Sequence, residues 1–135
     1  MPDVTPAHRV LIVDDHPDAA QALAMLVRLL GYDCVTATTG GEAIAHARAS
    51  EFDLAIIDIG LPDVSGLEVA RELRRLPSGR GMYLAAVSGY GQPEDRTNAL
   101  QAGFDHHVLK PLDVALVRRI VSLAEREAAA RTAPA

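Results

Sequence analysis

The chain has 135 residues, 49% hydrophobic and 23% charged, which fits one packed domain and excludes global disorder. Thirteen basic residues against eighteen acidic ones leave a formal charge of −5, so the basic face that direct nucleic-acid binding requires is missing. One cysteine, Cys34, excludes a disulfide framework and a Cys-rich zinc site.

No apolar run is long enough to cross a bilayer. The first residues lack the charged-then-apolar order of a signal peptide. The expectation is a cytoplasmic, soluble protein with no membrane insertion. Residues 1–7 read as a tail, residues 8–128 as the domain and residues 129–135 as a second tail.

Within the domain, strands and helices alternate. Val10 to Val13 is a continuous apolar run that ends in Asp14-Asp15. Pro17 suits a first helical turn, and Ala19, Leu23, Leu26, Val27 and Leu30 recur at helical spacing before the stop at Gly31. Asp33 to Ala37 reads as a second strand. Thr39 is placed to cap a second helix through Ala49, with Glu42 at the capping-box position and Ile44 and Ala47 facing inward. Leu54 to Ile57 is a third strand, ending in Asp58 and a loop marked by Gly60, Pro62 and Gly66. Ser65 caps a helix with Val69, Ala70 and Leu73 inside. Tyr83 to Val87 is a fourth strand, ending in Ser88. Pro93 opens a helix that closes at Gly103. His107 to Leu109 is a fifth strand, followed by Lys110-Pro111. Asp113 caps a last helix with Leu116, Val117, Ile120, Val121 and Ala124 along one side.

Continuous rather than alternating apolar strands belong to a parallel sheet covered on both faces. Five strand–helix units joined by right-handed crossovers give a doubly wound α/β domain. In such a sheet the residues just past the carboxyl ends of the strands line one crevice. Asp14, Asp15, Asp58, Ser88 and Lys110 all fall there. Helix capping accounts for Asp15 and passably for Asp14. It does not account for Asp58 before a Gly/Pro loop, nor for Lys110, the only lysine in the chain.

Carboxylates about 5 Å apart repel by roughly 3 kcal/mol per pair at an effective dielectric near 20. A retained proton or a hard divalent cation relieves that repulsion. An all-oxygen site with few protein ligands suits Mg²⁺ or Mn²⁺. Lys110 offsets further charge and Ser88 offers a donor. Such a pocket is suited to receiving a phosphoryl group.

These residues carry a family resemblance. Val10 to Asp15, Ile56 to Pro62, Ser88-Gly89-Tyr90, and Ala102 to Asp105 through Lys110-Pro111 stand in the order and spacing of the receiver domain of two-component response regulators. From Ser88 onward the chain is especially similar to receivers of hybrid histidine kinases. The resemblance implies a flavodoxin-like sheet with strand order 2-1-3-4-5 and five helices. It implies that Asp58 is the phosphoacceptor, served by a sensor histidine kinase or a histidine phosphotransfer protein. It assigns Mg²⁺ to Asp14, Asp15, Asp58 and the backbone carbonyl of Gly60. Ser88 and Lys110 take the roles of the hydroxyl and the ammonium that meet the phosphoryl group, and the Lys110-Pro111 bond is expected to be cis. Ser88 and His107 form the switch pair, and a downstream protein binds the face made by the fourth helix, fifth strand and fifth helix.

Two departures are visible. His107 stands where the family often has tyrosine or phenylalanine, which raises the question of pH dependence between about pH 5 and 8. Ser88 stands where threonine is common. His16 beside the acidic pair reads as a surface residue, because imidazole is softer than Mg²⁺ prefers. Tyr90 is a candidate partner contact. The fourth helix is weakly apolar, since Glu94 to Asn98 are all polar, and is a candidate mobile element.

The chemistry makes the protein a self-phosphorylating substrate rather than an enzyme. A degenerate receiver acting as a phosphorylation-independent docking module is one alternative. A Mg²⁺ phosphatase is the other, and it is disfavoured because Gly60 occupies the position where such enzymes carry a proton donor.

Overall fold

A computed structural model describes residues 8–89 and 93–132. The five strands are β1 (Arg9–Val13), β2 (Asp33–Ala37), β3 (Leu54–Asp58), β4 (Tyr83–Ser88) and β5 (His106–Leu109). All pair in parallel, in the order β2-β1-β3-β4-β5. The helices are α1 (Pro17–Leu29), α2 (Gly40–Ala49), α3 (Gly66–Arg75), α4 (Pro93–Ala102) and α5 (Val114–Thr132), with a short 3-10 turn at Pro77–Gly79. The fold is the doubly wound sheet that the sequence implies. The Lys110-Pro111 bond is cis.

Side chains on a strand alternate between faces, and this sorts the core into two layers. Leu11, Val13, Ala55, Ile57, Leu84 and Ala86 pack toward α2, α3 and α4. Val10, Ile12, Leu54, Ile56, Ala85 and Val108 pack toward α1 and α5. Both sides of β3 and β4 are covered, so every residue of those strands is buried. Edge strand β2 is only partly covered.

Several elements differ from the sequence expectation in detail. On α1 the buried face is Ala20, Ala24 and Val27, while Ala19 is exposed. Small side chains sit where the helix lies closest to the sheet, so the face is turned by one residue. On α2 the inward residues are Ala43 and Ala47, with Ile44 only half-buried. Thr39 caps α2 by accepting from the Glu42 amide, but the Glu42 carboxylate accepts from Thr38 rather than from the cap residue itself. β5 begins one residue early, at His106. Helix α5 runs to Thr132, so residues 129–132 are helical rather than part of a tail. On α4, Ala99 and Ala102 are buried and Arg96, Thr97 and Asn98 are exposed, as the polar composition suggests.

Candidate functional site

The sheet's hydrogen bonding continues one residue beyond three strands and fixes the backbone where the polar residues emerge. The Asp14 amide donates to Ala37, the Ile59 amide to Val87 and the Lys110 amide to Ser88, at 2.9 to 3.1 Å. Alternation then decides which way each side chain points. Asp14 follows Ile12 and Val10, Asp58 follows Ile56, and Lys110 follows Val108, all on the α1/α5 face. Ser88 follows Ala86, on the opposite face, and His107 shares that face because it pairs with Ala86.

On the first face, Lys110 Nζ donates to Asp58 Oδ2 at 2.9 Å and stands 3.6 Å from Asp14 Oδ2. The other Asp58 oxygen, Oδ1, accepts from the Gly60 amide at 2.9 Å. Asp58 is 7% exposed and Asp14 is 9% exposed, so both charges are largely withdrawn from water. Partial burial pulls the Lys110 pKa down, but the Asp58 hydrogen bond and charge, then Asp14, outweigh it and hold the ammonium above its ordinary 10.5. A cleft of about 500 Å³ opens beside these groups, walled by Leu23 and Leu26 of α1 and by Pro111 and Leu112. A second cavity, about 420 Å³ around Arg74 and Tyr83, contains none of these site residues.

Asp15 and His16 complete the acidic edge. The carboxylates of Asp14 and Asp15 and the His16 ring offer ligand atoms within 4.8 Å of one another. His16 Nδ1 is 3.1 Å from Asp15 Oδ1, and the His16 amide donates to Asp14 Oδ1 at 2.9 Å. The ring is mostly exposed, consistent with a surface residue at the start of α1. The donor set tests well against a hard divalent cation. Closely spaced, largely buried carboxylate oxygens with one shared ammonium fit such an ion better than they fit each other. Gly60 meets Asp58 through its N–H in this arrangement.

On the second face, Ser88 Oγ lies 2.8 Å from His107 Nε2. Burial is the main cause that depresses the His107 pKa below 6.5. Asp95 works against that depression and Arg96 adds to it. The family resemblance pairs Ser88 with His107, and the structure brings them together. The hydrogen bond between them is the added feature, with its signal in the period-two alternation of β4 and β5 and in a polar ring nitrogen at position 107.

Asp63 also escaped notice. Its two oxygens accept from the amides of Gly40 and Gly41, at 2.9 and 3.0 Å, and tie the loop after Asp58 to the start of α2. These two bonds hold the Asp63 carboxyl below its ordinary 3.8. Tyr90 lies outside the described residues.

The profile of the response regulator receiver domain matches residues 10–122. The chain belongs to the response regulator receiver family. This receiver is 37% identical over 118 residues to the probable transcriptional regulatory protein TcrX of Mycobacterium tuberculosis, covering 87% of this chain and 50% of that protein. It is 36% identical over 126 residues to the transcriptional regulatory protein KdpE of the same species, covering 87% and 54%. The chain therefore spans about half the length of these curated relatives. Among solved structures it is similar to a receiver domain protein from Methanospirillum hungatei, with TM-score 0.83, 31% identity and coverage of 90% and 97%. The receiver domain of sensor histidine kinase PA1611 from Pseudomonas aeruginosa matches with TM-score 0.80, 29% identity and coverage of 87% and 96%. That protein has a magnesium ion in its active-site cleft.

Among the described residues, no helix is long and apolar enough to cross a membrane. The membership makes the chain a module of two-component signalling, a family whose members interact with histidine kinases or phosphotransfer proteins.

Proposed function

We propose that this receiver accepts a phosphoryl group on Asp58 from a histidine kinase or a histidine phosphotransfer protein, with Mg²⁺, and thereby switches a protein-binding face. The observation that carries the reading is the 2.9 Å contact of Lys110 with Asp58. It joins side chains 52 positions apart from the ends of two strands that are not neighbours in the sheet.

Asp14, Asp15, Asp58 and the Gly60 carbonyl would hold the metal, which supplies charge neutralisation at the phosphoryl oxygens. The rest follows from the chain's own groups. The Gly60 amide and Lys110 each hold one oxygen of Asp58, which orients the carboxylate as a nucleophile for in-line attack on phosphorus. The bond to the donor's leaving nitrogen breaks as the Asp58–phosphorus bond forms. The phosphorylated side chain carries about one additional negative charge and more acceptor oxygens. Lys110 pairs with that charge and Ser88 turns toward it from the opposite face. Hydrolysis by water returns the free carboxylate and inorganic phosphate, so the protein turns over only its own phosphoryl group.

The output face we assign to α4, β5 and α5. Leu109 and Val114 are about half exposed there, and among the described side chains of α4 the buried ones are Ala99 and Ala102. A helix whose described buried side chains are two alanines, lying beside the switch pair, is a fit element for a small bias to shift.

Incubation with a small acyl-phosphate donor and Mg²⁺ tests the reading by intact mass. A gain of one phosphoryl group that disappears in Asp58→Asn is expected. No gain in the unsubstituted protein would favour the phosphorylation-independent docking module. Turnover of free phosphoesters would instead indicate an enzyme.

A further inference from the structure

We infer that His107 is a positioning residue that accepts the Ser88 hydroxyl proton in the resting protein, so that phosphoryl capture at Asp58 must compete with this hydrogen bond. The inference rests on the phosphoacceptor reading of Asp58, and it adds a polar latch on the far side of the sheet.

The geometry comes first. Ser88 Oγ and His107 Nε2 are 2.8 Å apart, a good length for a hydroxyl and a ring nitrogen. Both side chains lie on the α4 face, whereas Asp58 and Lys110 lie on the α1/α5 face. Ser88 cannot serve a phosphoryl group at Asp58 without turning away from His107. A serine hydroxyl carries one proton, and phosphoryl oxygens only accept. The imidazole and the phosphoryl group therefore compete for the same proton.

The charge state of the ring decides who wins. A neutral imidazole has one bare nitrogen, and when that nitrogen is Nε2 it takes the Ser88 proton. A protonated imidazole has none and can only donate, which leaves the Ser88 proton free for another acceptor. The surroundings favour the neutral form near neutral pH. Burial disfavours the charge. The charged groups nearby are Asp95, which favours protonation, and Arg96, which opposes it, both on α4. His106 adjoins on β5, with Arg119 of α5 acting on it. Acidification should thus release the latch and favour the captured state. By linkage, capture should raise the proton affinity of His107.

Two measurements test this. The first is the nitrogen NMR spectrum of the imidazole in the free protein near neutral pH. The tautomer with the proton on Nδ1 and a bare Nε2 is expected, and a protonated Nε2 would overturn the inference without touching the role of Asp58. The second is the affinity for beryllofluoride with Mg²⁺, a phosphoryl mimic, between about pH 5.5 and pH 7.5. At the upper end His107→Phe should bind about threefold to tenfold tighter than the unsubstituted protein, the factor carried by one neutral hydrogen bond. The unsubstituted protein should gain on His107→Phe as pH falls. His107→Gln, which keeps a polar group but does not titrate, should follow His107→Phe in pH dependence. Parallel profiles for all three proteins would overturn the latch while leaving the phosphoacceptor intact. Absence of binding in every protein would overturn the phosphoacceptor reading and the latch together.

Discussion

Lys110 shares its ammonium between two carboxylates, donating to Asp58 at 2.9 Å and approaching Asp14 at 3.6 Å. One cation facing two buried acids, with Asp15 alongside, leaves the pocket under net negative repulsion. A pocket arranged for an incoming cation carries that repulsion as a cost to the fold.

Asp14→Asn is therefore expected to stabilise the protein by about 1 kcal/mol at neutral pH, by relieving repulsion. It should also weaken Mg²⁺ binding. Lys110→Ala should destabilise by about 1 kcal/mol, a value kept small because the ammonium is more than a third exposed and water screens it. Thermal melts with and without Mg²⁺ check both. The ion should raise the melting temperature of the unsubstituted protein more than that of Asp14→Asn. Equal shifts would argue against Asp14 as a ligand.

Gly66 is packed directly behind Asp58. A Cβ there would lie 2.4 Å from the Asp58 carbonyl oxygen and 2.7 Å from Ile59 Cα. Both obstacles are backbone, which cannot rotate aside. Gly66→Ala should cost about 2 to 4 kcal/mol in urea unfolding and slow phosphorylation by displacing Asp58. Gly41→Ala serves as a control, since its Cβ would meet only the Asp63 carboxylate at an ordinary 3.6 Å.

Arg74 gathers the opposite edge of the sheet. Its guanidinium donates to the carbonyls of Gly103, Gly79 and Met82 and to the Asp105 carboxylate. Those acceptors come from separate turns and need a planar, forked donor. Arg74→Ala should destabilise by about 2 kcal/mol by leaving carbonyls unpaired, and Arg74→Lys should recover little of it. Urea midpoints of the three proteins decide the matter.

Cys34 is half-buried, and burial pushes its thiol up to about 11 from 9.0, with Arg28 opposing. Since the thiolate is the nucleophile, alkylation of the native protein at neutral pH should run about a hundredfold slower than that of an unperturbed thiol. Unfolding in urea should restore the ordinary rate. A fast native reaction would mean that Cys34 is freely exposed.

His106 and His107 both lie below their ordinary 6.5, burial being the leading cause for each. The unfolded chain then binds protons that the resting fold does not, so stability rises with pH in this window. Their contribution is complete above pH 6.5 and declines as pH falls toward the folded values. Melts between about pH 5 and pH 7.5 should show that slope. It should flatten when both histidines are replaced by glutamine.

Much of the architecture was legible because burial on both faces leaves uninterrupted apolar strands. Leu54 to Ile57 and Tyr83 to Val87 can hardly be read otherwise. Asp14, Asp58 and Lys110 announced themselves as charges set directly against such strands. Helix faces were harder to read. Ala19 and Ala20 are chemically alike, and only the approach of α1 to the sheet chooses between them. The end of α5 carries an alanine-rich run whose helix propensity extends it to Thr132. Contacts made by loops were illegible, because Asp63 and Arg74 find partners at separations that no local pattern encodes.

Asp63 links two parts of the molecule that are otherwise distant in sequence. The loop from Gly60 to Val64 flanks Asp58, and on the proposed phosphoacceptor reading a change of side chain there would alter access of water to the acyl phosphate. The same loop supplies the two oxygens that hold the first turn of α2. If Asp58 is phosphorylated as proposed, kinetic tuning and thermal endurance would be tied to one short stretch of chain. A lineage selecting for a faster or slower timer at this position would have to preserve its aspartate or find a substitute clasp on the neighbouring helix.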